Sequence, residues 1–350
     1  MHAFLALLNV GTMLLYIQEE IVSKREKQMK LTAIDNNGTL QGFMLVKSCD
    51  RKNTKNGSVY LDLVLADGDG DVVAKIWDFR GTAADQPQPS TVIRVRGTLN
   101  LYNGQPQFKI DRFRQATPED GVDTADFVPG APFSPELMYG RIIELAESFN
   151  DEMLKKLVLA VLDEYKDKII NLPGAFKLHH AIRGGLLMHT LGICRMAGAV
   201  TAVYPSVDRD LLLAGAILHD IAKAEEFSVA PTGLVDGYTV EGTLIGHLVK
   251  GAVIIDEIGR RNGIDESTLM LVEHMLISHH GEPEFGAAVR PLFLEAEILS
   301  ELDSLDANIY EIENAVKDVP VGEFTSRMWA LDDRKFFNHG RKDVSTDIKI

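Results

Sequence analysis

Apolar and polar residues alternate with a period of two through residues 38–115, and from residue 134 almost to the end the apolar positions recur every three or four residues. A period of two places one face of a strand in a core, and a period of 3.6 does the same for one stripe of a helix. The chain is therefore constrained to a β module followed by an α module. Between them, residues 116–135 are acidic, contain four prolines and show neither period, which predicts an extended linker.

The β module has five predicted strands, at 40–48, 59–66, 71–77, 92–101 and 105–114, with the turn signals Lys-Asn-Gly, Asp-Gly-Asp-Gly and Tyr-Asn-Gly-Gln between them. Five strands in so short a span fit a small Greek-key barrel of the OB fold, assigned to residues 31–115. Ile93 and Val95 alternate with Arg94 and Arg96, and Phe108 and Ile110 with Lys109 and Asp111, so one face is core and the other carries charge. Tyr60, Trp77, Tyr102, Arg94, Arg96, Lys109 and Arg112 are the candidate nucleic-acid-binding residues, rings on which bases stack and cations that neutralise phosphates. The competing reading makes the rings core and the cations a solvated face.

The net charge of -15 argues against a protein that coats nucleic acid, but the charge is unevenly spread. Residues 31–115 carry 11 Lys+Arg against 9 Asp+Glu, and residues 116–350 carry 21 against 39. Cys49 and Cys194 are the only cysteines, too few for a disulfide framework or a thiolate metal site, and they point to a reducing, cytoplasmic setting. The apolar stretch at residues 3–17 is shorter than the ~20 residues of a spanning helix and lacks the flanks of a secretory signal. The segment fits a weak interfacial helix, a docking helix or, the favoured reading, translated sequence upstream of a start at Met29; residues 1–30 are set aside, and no stable membrane insertion is expected.

The α module, residues 136–325, opens at Ser134 as N-cap with Pro135 at the first helical position. Helices are predicted at 135–149, 151–171, 183–203, 208–224, 239–261, 266–279 and 291–318, followed by a tail at 326–350. On their apolar stripes stand His189, His219 with Asp220, His247, His279 with His280, and Asp303. Each lies three, four, seven or eight residues from core positions and so points inward. A buried carboxylate without compensation is costly, and a cation among imidazoles supplies that compensation. With no thiolates at hand, the ligands are nitrogen and oxygen, a mixture that suits Mn²⁺, Fe²⁺ or Co²⁺ better than Mg²⁺.

Read together, His189, His219-Asp220 and Asp303 resemble the signature of the HD superfamily of metal-dependent phosphohydrolases, and His247 with His279-His280 resemble its two-metal branch. The strings Ala-Lys-Ile-Trp-Asp (74–78), His-His-Ala-Ile-Arg-Gly-Gly-Leu-Leu-Met-His-Thr (179–190), Ala-Gly-Ala-Ile-Leu-His-Asp-Ile-Ala-Lys (214–223) and Ser-His-His-Gly (278–281) carry a wider resemblance, to the YhaM family of bacterial 3′→5′ exoribonucleases. Glu-Gly-Thr-Leu-Ile-Gly-His (241–247) and Leu-Asp-Ser-Leu-Asp-Ala (302–307) belong to the same pattern, which spans about 310 of 350 residues.

The resemblance implies one metal held by His189, His219, Asp220 and Asp303, with Asp220 bridging to a second held by His247, His279 and His280, Mn²⁺ being the first choice. It implies catalytic roles for Asp220 and for Lys223, which would meet a phosphate oxygen, and phosphate contacts for His179, His180 and Arg183. Asp306, one turn past Asp303, is expected to support the ligands or to be an ordinary polar residue. The implied substrate is single-stranded RNA, with single-stranded DNA as a second substrate and homo-oligomerisation left open. The alternatives are a phosphodiesterase of cyclic or small nucleotides and a nucleic-acid-binding protein without catalysis. Against the first, the chain after His280 reads Gly-Glu-Pro-Glu-Phe-Gly, without the Gly-Tyr-Pro of the cyclic-dinucleotide branch.

Overall fold

The structure, a computed structural model, describes residues 38–342 apart from 68–69, 103–104, 123, 177–179 and 231. The apolar stretch at 1–30, His179 and the end of the tail thus lie outside the described residues. The chain forms two compact units that divide between Pro129 and Gly130.

The first unit is a closed barrel of five strands in the order β1-β2-β3-β5-β4. They are β1 (Thr39–Asn53), β2 (Val59–Ala66), β3 (Asp71–Ile76), β4 (Val92–Tyr102) and β5 (Gln105–Gln115). β1 outruns its predicted length because it serves two neighbours. Its first half pairs with β4, and its second half, past a bulge between Val46 and Ser48, pairs with β2. The inward residues of the period-two pattern, among them Met44, Leu63, Ile93, Val95 and Phe108, fill the barrel.

The stretch predicted as an extended linker differs from that expectation. It contains 3-10 turns at Pro118–Asp120 and Thr124–Phe127, and Phe127 is fully buried. Thr117 caps the first turn, and Asp120 holds Arg114 of β5 through two hydrogen bonds, which folds this stretch back toward the barrel.

The second unit is helical: α1 (Pro135–Glu147), α2 (Glu152–Ile169), α3 (Gly185–Val203), α4 (Arg209–Leu218), α5 (Lys223–Glu226), α6 (Val240–Leu244), α7 (Gly246–Arg261), α8 (Glu266–Ser278) and α9 (Leu294–Val316). Side chains of Ser134, Asp151, Asp208 and Asp265 accept from backbone N–H groups at the starts of α1, α2, α4 and α8. α3 is apolar on nearly every side because it is central, packed on α1, α4 and α9.

Two predicted helices are broken. The one at 208–224 stops at Leu218 and resumes at Lys223, and the one at 239–261 is interrupted at Gly246, whose φ of 74° is left-handed. A short hairpin, β6 (Phe227–Val229) with β7 (Val235–Tyr238), fills a region for which no element was predicted.

Candidate metal centre

The helix ends explain how imidazoles come to face inward. The last four carbonyls of a helix have no partner within it. His219 and His279 each sit directly after a helix, α4 and α8, and each ring turns back so that Nδ1 reaches the carbonyl three residues earlier. Those partners are Ala216 at 3.0 Å and Leu276 at 2.8 Å. Because a carbonyl only accepts, Nδ1 carries the hydrogen and Nε2 is left with its lone pair.

The other rings follow the same rule. His280 Nδ1 lies 2.9 Å from the carbonyl of Phe285, His189 Nδ1 is 2.7 Å from Asp306 Oδ2, and His247 Nδ1 is 3.0 Å from Glu226 Oε2. All five Nδ1 atoms are thereby engaged by an acceptor, an arrangement that fixes each ring and directs Nε2 at a metal.

Those Nε2 atoms meet around Asp220, which is 3% exposed. Its Oδ2 lies 3.3 Å from His219 and 3.7 Å from His189, while its Oδ1 lies 3.4 Å from His247 and 3.8 Å from His279. Asp303 Oδ1 is 3.0 Å from His189 Nε2 and 4.0 Å from His219 Nε2. His280 joins His247 and His279 in a set whose ligand atoms all lie within 4.8 Å of one another.

Among the described residues, Asp220 Oδ1, His247 Nε2 and His279 Nε2 are buried with no hydrogen-bond partner. These three orphaned acceptors cost free energy when nothing satisfies them, and a cation among them would satisfy all at once. Beside them, His189 Nε2 and His219 Nε2 stand 3.3 Å apart. The donor set fits divalent metal ions.

Charge follows the same geometry. Burial raises the Asp220 carboxyl, but Lys223 and His219 outweigh it and hold the group well below the usual carboxylate range. Asp303 and Asp306 are lowered in the same way, against burial, by the histidines beside them. Burial lowers His189, yet the carboxylates of Asp303 and Asp306 on its two nitrogens push it up to about 10. His279 and His280 are lowered, chiefly by burial, which favours their neutral form.

Lys223 is buried, with Nζ 2.7 Å from Asp220 Oδ2 and 2.8 Å from the Gly174 carbonyl. Burial lowers its pKa, but the Asp220 carboxylate outweighs burial and raises it. His180, expected at a substrate phosphate, is placed elsewhere. Its Nε2 lies 2.8 Å from Asp306 and its ring lies 4.1 Å from that of Tyr310, so it stands behind His189 on the side away from Nε2. Arg183 is bridged to Gly130 through its backbone, and its Nε is buried with no hydrogen-bond partner among the described residues.

Asp306 was expected to support the ligands or to be an ordinary polar residue, and it stands against His189 and His180; Glu226, against His247, was not singled out by the sequence. Asp306 is one turn from Asp303 on α9, and its register alone shows that it shares a face. Glu226 ends the four-residue α5, too short for any periodic signal.

In the barrel, Tyr60 and Trp77 stack at 4.8 Å, with the Lys75 ammonium 5.0 Å and 5.8 Å from the two ring centroids. Trp77 and Tyr102 are exposed, as are Arg94, Arg96, Lys109 and Arg112. The rings are thus not core.

A model of the HD domain family matches residues 186–308. The 3′-5′ exoribonuclease YhaM of Listeria welshimeri is 36% identical over 303 residues, covering 86% of this chain and 95% of that protein. Its namesake in Oceanobacillus iheyensis is 34% identical over 300 residues, covering 85% and 92%, and that in Geobacillus sp. is 36% identical over 295 residues, covering 84% and 90%. The second OB-fold domain of replication protein A from Methanococcus maripaludis aligns with 25% of this chain and 92% of its own length, at 15% identity and a TM-score of 0.21.

Proposed function

We infer the activity from the family: the chain belongs to the YhaM 3′-5′ exoribonucleases. It is a metal-dependent hydrolase of RNA phosphodiester bonds, removing nucleotides from the 3′ end of a single strand as 5′-monophosphates. The observation that supports this most is Asp220, whose two oxygens face two different sets of imidazole nitrogens. That division favours two ions sharing one carboxylate, His189, His219 and Asp303 completing one set and His247, His279 and His280 the other. When bound, such ions supply Lewis acidity toward a phosphodiester and a more acidic water. Mixed imidazole and carboxylate ligation favours Mn²⁺ among the candidates.

The residues do the rest. Asp306 and Glu226 hold His189 and His247 in the tautomer that presents Nε2. Lys223 keeps a fixed positive charge beside Asp220, where a phosphate oxygen or departing oxyanion gains from it. Tyr60, Trp77 and Tyr102, with Arg94, Arg96, Lys109 and Arg112, are assigned to capture of the strand, since the acidic second unit repels a polyanion. Single-stranded DNA offers the same phosphates and bases and is proposed as a weaker substrate. Cys49 and Cys194 are both free thiols, which supports a cytoplasmic location.

Incubation with Mn²⁺ and 5′-labelled RNA, single-stranded DNA or a cyclic dinucleotide tests the reading. The expected result is a ladder shortened one nucleotide at a time from the 3′ end, with mononucleoside 5′-phosphates released. Asp220→Ala is expected to lower the rate by at least about 10³-fold, given the loss of a ligand common to both sets. Cleavage of the cyclic dinucleotide alone, or full activity in Asp220→Ala, overturns the proposal.

A further inference from the structure

The arginines of β4 and β5 and the stacked rings occupy different faces of the barrel. In a barrel of this order the strand β2–β3 face is the usual nucleic-acid surface, and here it carries Tyr60, Trp77 and Lys75. The arginines lie instead across β1, β4 and β5. Pairing register sets two rows side by side, Phe43–Arg94–Arg114 and Gln41–Arg96–Arg112. Gln41 and the four arginines line a groove of about 310 Å³.

Arginines directly opposite one another on paired strands repel and destabilise the sheet. Arg94 faces Arg114, and Arg96 faces Arg112. Arg114 is neutralised by Asp120 at 2.6 Å, and the Phe43 ring lies under both Arg94 and Arg114. Arg94, Arg96 and Arg112 make no ion pair among the described residues. The groove also depends on a bulge between Arg96 and Gly97, where β5 passes so close that a Cβ on Gly97 would stand 2.1 Å from the Lys109 carbonyl. Bulges of this kind re-aim neighbouring side chains, and this one sits directly beside the Arg96–Arg112 pair.

We propose that the β1–β4–β5 face is a phosphate track, on which Arg94, Arg96 and Arg112 bind consecutive phosphodiesters of single-stranded RNA, apart from the Tyr60–Trp77 platform where bases stack. The proposal rests on the reading of RNA as substrate. A polyanion relieves the repulsion between facing arginines, and no small neutral ligand does so. Guanidinium groups in rows suit phosphate oxygens because each presents a planar fork of donors. The two faces divide the work: the track contributes a salt-dependent affinity and the platform a salt-tolerant one.

Salt dependence separates these roles, because each phosphate neutralised on a single strand adds about 0.7 to the slope of log affinity against log salt. Binding of an oligouridylate of about 20 nucleotides to the full chain is measured under chelation, so that nothing is cleaved. The double variant R96Q/R112Q is expected to flatten the slope by about 1.4 for two lost phosphates. R96K/R112K is expected to restore it, and Y60A/W77A to lower affinity about tenfold or more without changing the slope.

The melting temperature of R96Q/R112Q without RNA is expected to equal or exceed that of the unsubstituted chain, since a repulsion has been removed. An unchanged slope in R96Q/R112Q overturns the proposal. Should R96Q/R112Q not fold, Gln41→Glu, which sets an acid against Arg96, provides the same slope test. Failure of the unsubstituted chain to hydrolyse RNA strikes the exonuclease reading, while the slope comparison still reports on the track.

Discussion

His189 is held from both ends, by Asp303 at Nε2 and by Asp306 at Nδ1, two aspartates one helical turn apart. Asp306 also takes the Nε2 of His180, so a single buried carboxylate orients one ligand and anchors the residue behind it. Asp306→Ala leaves two imidazole nitrogens without their acceptor, expected to cost about 1–3 kcal/mol of stability and about 10–100-fold in metal affinity. A calorimetric metal titration checks this, and unchanged affinity would place Asp306 outside the site's function. Glu226→Gln keeps an acceptor for His247 but loses the charge, so its affinity loss should be smaller than that of Glu226→Ala in the same titration. The inward-facing histidines were legible because a polar residue on an apolar stripe breaks a pattern. Glu226 was not, because it belongs to no stripe, and the pairing of His180 with Asp306 was not, because nearness in sequence to His189 says nothing about which groups its ring approaches.

At the scale of elements, period carried most of the information and strain carried the rest. β2 to β5 emerge at nearly their predicted bounds because alternation such as Ile93-Arg94-Val95-Arg96 admits only one register with a buried face. Bulges and helix breaks leave no periodic trace. The helix expected at 208–224 stops at Leu218 because His219 and Asp220 turn to present their side chains to the metal centre, a tertiary demand invisible to local pattern. Gly97 marks a second such place. Gly97→Ala sets a Cβ against the Lys109 backbone at 2.1 Å, where no rotamer change gives relief. The expected loss is about 1–3 kcal/mol, read as a lower midpoint of the barrel's unfolding transition. An unaltered midpoint would mean that β4 and β5 separate there at little cost.

Across the whole molecule, two units with separate cores should unfold separately. The difference in charge between them was readable from composition, the barrel being basic and the helical unit acidic. Among the described residues the candidate ligands converge within the helical unit, and they come from α3, α7, α9 and the residues just after α4 and α8. Without metal, the orphaned groups around Asp220 weigh against the packing of those elements on one another. A ligand that binds only the folded form stabilises it by about 2.7 kcal/mol at a hundredfold excess over its dissociation constant. Scanning calorimetry of the chelator-treated chain should therefore show two transitions. Added Mn²⁺ should move one of them upward by several degrees and leave the barrel's in place, and Asp220→Ala should abolish that movement. A shift of both transitions together would mean that the ions act on the chain as a whole, and a shift of neither would mean that the converging side chains hold no metal.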